Sequence, residues 1–450
     1  MNFIKNLKIK YLIMFVSVVI IAFIFSFFII PVTGDEIWCY GFSYNISSGL
    51  IPYKDFSLLQ TPLYFFVGSI FIKIFGEYLI SIHILNALLV GIIFIMLFKM
   101  LGIKSLLLFP LFLLNVIPTC NYCCLFFLFI LIYLIHKKKD NDLIVGFLIG
   151  LIFLNKQSIG VVMLLPLLFY SKKRIKSLCS FFTPLLIFLV YLVFNNALYE
   201  FMDYCFLGIL DFGGSNTVIS IFTCFWILQV IYIIILLIKT KFKDRKLLYI
   251  LVFQVMCYPI FDLYHWLLSF VPFFYYLLRE FNCDSFRKSI KGFLKFIFIV
   301  TICLISLFID FSYLSNGVKI AKNGDNYLYL RNIDNISYVN LDEYASSVQK
   351  YLDEYEKSFF ILGNSYMVKL YMDLEINKYD LLLDGNMGYN GDERYILEID
   401  RICDIKSCIF FVEDIDFDNE YCQVSKVIYD YVINNYTLVD RNEYFDVYSN

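Results

Sequence analysis

The chain has 450 residues, 60% hydrophobic and 20% aromatic but only 17% charged, with a mean hydropathy of +0.73. An ordinary soluble domain holds about 45–50% apolar and about 25% charged residues, so that class is excluded. The net charge of −2 hides a split: residues 312–450 hold 12 Lys and Arg against 25 Asp and Glu, whereas residues 1–311 hold 25 against 14. A basic apolar part joined to an acidic polar part excludes a nucleic-acid binder with a basic face and a small secreted scaffold.

The first apolar run, 11–31, follows Lys5, Lys8 and Lys10 and lacks an Ala-x-Ala-like cleavage site. It is expected to be an uncleaved anchor. Basic clusters recur at Lys99/Lys104, Lys137–Lys139, Lys172–Lys176, Lys239–Lys246 and Arg279–Lys295. Cytoplasmic loops attract Lys and Arg, which puts all of these clusters and the N-terminus on the inside. That parity requires Pro62–Gly76 not to span. It has 15 residues, below the ~17 needed to cross, and is expected to lie in or dip into the outer leaflet. Spans are then expected at 11–31, 78–98, 105–118, 121–136, 143–155, 158–170, 178–195, 218–238, 247–261, 264–279 and 293–311, eleven in all. Residues 1–311 form the transmembrane domain, with an outer loop at 32–76, and residues 312–450 form an extracytoplasmic domain.

Under this topology only Lys54, Lys73 and Lys156 of the basic residues in 1–311 face outward. Lys73 can snorkel along its helix. Lys156 sits at the tip of the hairpin 143–170, whose arms of about 13 residues reach roughly 20 Å at 1.5 Å per residue, short of the ~30 Å hydrocarbon core. The polar tip Asn155-Lys156-Gln157-Ser158 is thus sunk below the outer surface, where a polar group is a functional-site candidate. A tip reaching water through a gap between helices is the plainer reading.

The outer loop opens with Thr33-Gly34-Asp35-Glu36 and continues through Gly49 to Pro52-Tyr53-Lys54-Asp55-Phe56. Two adjacent carboxylates repel, so one could carry a raised pKa and act as a general base. They would equally suit the solvated first turn of a helix. Asp262 and His265, one helical turn apart at another outward turn, could pair or simply cap a helix. Asp35, Glu36, Lys54, Lys156, Gln157, Asp262 and His265 therefore all map to one face from separate parts of the chain. Carboxylate plus Lys suits base-assisted attack on a carbon whose leaving group is a phosphate.

In 312–450, Leu341–Tyr355, Tyr366–Leu374, Asp392–Cys403 and Gln423–Asn434 are expected helices. Ser358–Leu362, Cys408–Val412, Thr437–Val439 and Tyr444–Tyr448 are expected strands, so the alternation predicts a small α/β domain. The loop Gly385–Gly391 lacks the Gly-Lys-Ser/Thr of a phosphate loop; it either covers the membrane site or merely connects two elements. Cys120-x-x-Cys123-Cys124 has no further ligand at metal-site spacing and is expected to be apolar packing. Cys403, Cys408 and Cys422 allow one disulfide. Asp416-Phe417-Asp418 lies in an acid-rich stretch and is expected to be surface charge. The three His residues are scattered and offer no metal site.

Gly34-Asp35-Glu36 after the first span, Gly49-x-x-Pro52-Tyr53-x-Asp55-Phe56, and Thr61-Pro62-Leu63-Tyr64 closing the outer loop resemble the polytopic GT-C glycosyltransferases. Within them the resemblance is to the protein O-mannosyltransferase and aminoarabinose–lipid A transferase group, specific over residues 10–100 and looser to about 310. It implies an α-helical polytopic membrane protein, GT-C-like, with a small C-terminal α/β domain, in a bacterial cytoplasmic membrane. It implies transfer of a sugar from a polyprenyl monophosphate carrier, on the outer face, to a hydroxyl of a glycan, lipid or protein. It further implies that Asp35 is the base or acceptor-orienting residue, with Glu36 beside it. Lys156 and Lys54 are our candidates for holding the lipid phosphate, with Gln157, Asp55, Asp262 and His265 as supporting polar groups. Family members often carry an Arg early in the second span, where this chain has Ser81-Ile82-His83. No cofactor is required by this reading, which leaves room for a divalent cation, and no nucleic-acid partner is expected. The rival readings are a transporter or assembly subunit for lipid-linked glycans, and a polymerase or ligase using a pyrophosphate carrier. A transporter should show repeated halves and midplane charges, and neither is evident.

Overall fold

The computed structural model describes residues 2–28, 34–114, 119–209, 217–281, 290–323, 341–354, 358–363, 372, 388–405, 407–415, 417 and 425–450. The apolar part is a helix bundle. Its first half contains α1 (Asn2–Phe28), α2 (Gly34–Ser47), α3 (Leu63–Phe75), α4 (Ile80–Leu101), α5 (Phe109–Leu114), α6 (Cys120–His136), α7 (Asp142–Asn155) and α8 (Gln157–Tyr170). Its second half contains α9 (Arg174–Phe194), α10 (Leu198–Met202), α11 (Ile221–Lys239), α12 (Arg245–Phe253), α13 (Leu263–Arg279) and α14 (Ile290–Asn323). Helices dominate because a chain in hydrocarbon must satisfy its backbone polar groups within each segment. By length and composition, Ile9–Ser26, Ile80–Leu113, Arg174–Phe194 and Ile221–Lys239 are long and apolar enough to cross a membrane. Shorter apolar helices include Cys120–His136, Asp142–Asn155, Gln157–Tyr170 and Ile297–Ser312.

Two of the expected spans are not single α-helices. Gly102 takes φ +60° at the end of α4, and a 3-10 stretch, Gly102–Leu108, precedes α5. In the stretch 247–261 the α-helix ends at Phe253 and a 3-10 turn, Gln254–Cys257, follows. Tyr258 is extended there, as the residue before Pro259 prefers. The expected boundary at 311 falls inside α14, which runs on to Asn323. Pro62–Gly76 holds α3, packed against α2. Polar residues mark where helices begin: Thr119, Asn141, Ser220, Asp244 and Asp262 each cap a helix by accepting a backbone N–H.

The hairpin α7–α8 is broken by a single residue. Lys156 is extended (φ −155°, ψ 107°) and ends one helix while starting the next. The arms fit because Gly160 lies on the backbone of Phe153, where a Cβ would collide. α9 packs along α7 and α4 along α1.

The C-terminal part is a small α/β domain. β1 (Ser358–Leu362) pairs in parallel with β2 (Cys408–Val412), and β4 (Asp446–Ser449) pairs antiparallel with both β2 and β3 (Thr437–Arg441). The order is β1-β2-β4-β3. Strands β1 and β2 are apolar along their length because both faces are covered. Phe360, Leu362, Phe410 and Val412 pack with Tyr395 and Ile399 of α16 (Gly391–Ile405) and Ile428 and Val432 of α17 (Lys426–Asn435). Ile361, Ile409 and Phe411 belong to the core that holds Tyr344, Val348 and Tyr351 of α15 (Leu341–Glu354). The expected strands thus form, and the helices at 341, 392 and 423 form with small shifts of their ends; the helix expected at Tyr366–Leu374 lies outside the described residues apart from Met372. Cys403 and Cys408 form a disulfide, whereas Cys422 and the carboxylates of Asp416 and Asp418 lie outside the described residues.

Candidate active site

Five elements meet at one end of the bundle. α2 brings Asp35, the start of α6 brings Asn121, the α7–α8 break brings Lys156, and the first turn of α13 brings Asp262 and His265. The outer loop passes beside them at Leu59–Thr61.

Asn121 is the hub. Its amide oxygen accepts from Lys156 Nζ at 2.8 Å, and its Nδ2 lies 3.5 Å from Asp35 Oδ2 and 3.4 Å from His265 Nε2. His265 Nδ1 is 2.9 Å from Asp262 Oδ1, which also accepts the His265 backbone N–H at 2.7 Å. Asp262 at Nδ1 thus fixes the ring, and Nε2 faces the Asn121 amide. His265 Nε2 is also 4.0 Å from Asp35 Oδ2. The result is a carboxylate–imidazole–carboxylate series whose near end, Asp35, is 29% exposed and whose imidazole is 9% exposed.

Burial pushes the Asp35 carboxyl above the ordinary carboxylate range, and Asp262 adds to this, while His265 and Lys156 pull the other way. Burial also works against the charge on Asp262, but its pairing with His265 outweighs that and holds its pKa below the ordinary value. Two carboxyls on either side of one imidazole are therefore driven apart. Such a separation lets one carboxyl take up a proton while the other stays an anion.

Asn155 and Lys156 of the hairpin break both reach α6, and Gln157 reaches the outer loop and the turn at Cys205. Asn155 donates to the Cys120 carbonyl and lies 3.0 Å from Cys124 Sγ, which ties the break to α6. Lys156 reaches Asn121. Gln157 donates to the carbonyls of Leu59 at 2.8 Å and Cys205 at 3.1 Å. Its neighbour on the outer loop, Thr61, donates its hydroxyl to the Phe153 carbonyl at 2.6 Å.

Other sequence candidates lie elsewhere. Glu36 points away from Asp35, into the bundle. It is 2% exposed and its Oε1 is 2.7 Å from His83 Nε2, while His83 Nδ1 is 2.6 Å from Ser26 Oγ. This buried trio joins α2, α4 and α1. Asp55 caps its own turn by accepting from the Ile51 N–H at 2.7 Å. Lys54 is exposed and makes no ion pair among the described residues. Cys120 lies against Gln60, with Sγ 2.8 Å from Oε1. Among the described residues no group of three or more His, Cys, Asp or Glu is arranged to hold a metal ion.

The sequence reading missed Asn121 and a contact between the two parts of the chain. Asp203, 4% exposed, begins a π-helical turn, Asp203–Leu207, and pairs with Arg394 of α16. Asp203 also accepts the Tyr389 backbone N–H at 3.2 Å. Gly388, at φ +84°, lies so close to Asp203 and Tyr204 that a side chain there would collide. The end of the 385–391 loop thus docks on the bundle, beside the turn whose Cys205 carbonyl holds Gln157. The available signals were one Asn in the Thr119-Cys120-Asn121 run and one acid in an aromatic stretch.

No family model and no curated protein matches the chain. Among solved structures the fold is similar to that of ArnT from Cupriavidus metallidurans. Bound to undecaprenyl phosphate, ArnT matches with a TM-score of 0.57 and 10% identity over 98% of each chain. In its apo state it matches with a TM-score of 0.56, again at 10% identity over 98% of each chain. The chain therefore shares the fold of ArnT, which is the fold the loop motifs implied.

Proposed function

We propose that this protein is a membrane glycosyltransferase that moves a sugar from a polyprenyl-phosphate-linked donor to a hydroxyl of a cell-surface glycan, lipid or protein. The observation that carries the proposal is the convergence of Asp35, Asn121, Lys156 and the Asp262–His265 pair at one end of the bundle. The likeness in fold to ArnT, solved with undecaprenyl phosphate, supports a lipid-linked donor.

In this reading the Asp35 carboxylate takes the proton of the acceptor hydroxyl. The hydroxyl oxygen then attacks the anomeric carbon, the carbon–oxygen bond to the phosphate breaks, and its electron pair leaves on the phosphate. Lys156 neutralises that charge where it develops, held by Asn121 so that it need not reorganise. Asp262 fixes the His265 ring, which shares Asn121 with Asp35. Glu36 acts differently. With His83 and Ser26 it fixes the start of α2 and hence the position of Asp35. The site then faces the outside of the bacterial cytoplasmic membrane, and residues 312–450 sit on the same side.

The test is mass spectrometry of the glycolipids and envelope glycans of cells with and without the protein, and with the Asp35→Asn variant. A sugar-bearing product that disappears in both the deletion and the variant is expected. A product unchanged in the variant, with the protein present at normal level, would remove the catalytic assignment.

A further inference from the structure

The end of the bundle away from Asp35 holds a second polar centre. α6 and α13 each have one end at the candidate site, at Asn121 and His265, and the other end here, at His136 and Arg279. Each has 17 residues, so the two centres are separated by about 25 Å of helix at 1.5 Å per residue. A basin of about 600 Å³ opens between the turn after α6, the turn before α12 and the end of α13. That volume is within the ~300–1,000 Å³ of small-ligand sites.

The charges lining it do not balance. Its two arginines are engaged: Arg245 pairs with Asp140 at 2.7 Å and Arg279 with Asp244 at 3.1 Å. These are the only carboxylates lining the basin among the described residues. Lys138, Lys243 and Lys246 line it too, and none has a hydrogen-bond or ion-pair partner for its ammonium among the described residues. Lys138 and Lys243 are exposed, but Lys246 is only 6% exposed. Asp244, Glu280 and Asp140 act on Lys246 through space, but none bonds to its ammonium among the described residues. Five cations thus line the basin against two carboxylates, both paired with arginine, and an anion of high charge density fits the excess.

We propose that this basin binds a phosphate group, the headgroup of an anionic phospholipid or a free phosphate, through Lys138, Lys243 and Lys246. Its position at the ends of apolar helices sets it at headgroup depth, where a cluster of lysines attracts anionic lipid. The basin shares no residue with the Asp35 site, so the proposal stands or falls independently of the proposed glycosyl transfer.

The experiment uses the full-length protein in detergent, with thermal unfolding and native mass spectrometry in the presence of phosphatidylglycerol, phosphatidylcholine or inorganic phosphate. Phosphatidylglycerol or inorganic phosphate is expected to raise Tm where phosphatidylcholine does not. The double variant Lys138→Gln/Lys243→Gln, both at exposed positions, should weaken that binding roughly tenfold or more while leaving Tm without ligand unchanged. Stabilisation by inorganic phosphate alone assigns a free phosphate; stabilisation by phosphatidylglycerol only assigns the lipid headgroup. Equal effects of phosphatidylglycerol and phosphatidylcholine with none from phosphate, or unaltered binding in the double variant, would overturn the proposal.

Discussion

Asp35→Asn is the sharpest perturbation available, because it keeps shape and removes one function. An amide in place of the Asp35 carboxyl still fits beside Asn121 and His265, which lie 3.5 Å and 4.0 Å from Oδ2. It cannot accept a proton from a hydroxyl. Loss of a general base typically costs about 10²- to 10⁴-fold in rate, or roughly 3–5 kcal/mol at 1.36 kcal/mol per decade. Stability should move the other way. Burial raises the Asp35 pKa, so the ionised carboxylate is disfavoured in the folded state. The protonated carboxyl's contribution to stability is fully present below the unfolded-state pKa and is lost as pH rises through the folded-state value. Near neutral pH a permanently neutral Asn should therefore leave Tm equal or higher. The assay pairs turnover of a polyprenyl-phosphate-sugar donor with a thermal unfolding curve on the same preparation. Full turnover, or a loss of turnover that merely tracks a lower Tm, would rule out Asp35 as the base.

Other consequences follow from the same geometry. The acid limb of the pH–rate profile should lie above the ordinary carboxylate range, and His265→Ala should shift it to still higher pH, because His265 lowers the Asp35 pKa; a shift to lower pH would contradict the assignment. Lys156→Ala should raise the donor KM and slow transfer with little effect on acceptor KM, measured by varying each substrate in turn. Glu36→Ala should remove the carboxylate that His83 bonds to in the bundle, and losing a buried hydrogen-bond partner costs about 1–3 kcal/mol; the readout is a lower Tm and a lower folded yield. Arg394→Ala should leave Asp203 buried without its cation at a cost of about 3 kcal/mol or more, and a double-mutant cycle with Asp203→Asn should be clearly less than additive. Additive effects would dissociate that pair.

How much was legible depended on how local the signal is. β1 and β2 were readable because Ser358–Leu362 and Cys408–Val412 are continuous apolar runs bounded by polar residues, as strands covered on both faces must be. The hairpin break was readable from its short arms and the polar tip at Lys156. Asp35 and Glu36 could not be told apart by spacing. Consecutive residues on a helix point about 100° apart, and which of them faces the site depends on the phase of α2, set by its packing against α3. Asn121 and Asp203 were beyond reach for another reason. Their partners Asp35 and Arg394 lie 86 and 191 residues away in the chain, and nothing near either residue announces the contact.

The one-residue break at Lys156 explains how a half-buried lysine at the end of the bundle can be useful. A flexible lysine would lose side-chain entropy on binding an anion, and would wander in its absence. Here its backbone is held on both sides. Asn155 is tied to α6, and Gln157 is tied to the outer loop and to the turn that starts at Asp203. Only the Lys156 side chain is left to reach forward, and Asn121 meets it at 2.8 Å. The anchor at Cys205 belongs to the same π-helical turn that Arg394 grips from the C-terminal domain. The acidic domain and the lysine are thus joined by two contacts and two short stretches of chain: Arg394 to Asp203, along the turn to Cys205, Cys205 to Gln157, and Gln157 to its chain neighbour. Such a path fixes a group in place before substrate arrives, which is where a site built from distant segments gains most over one carried on a single loop.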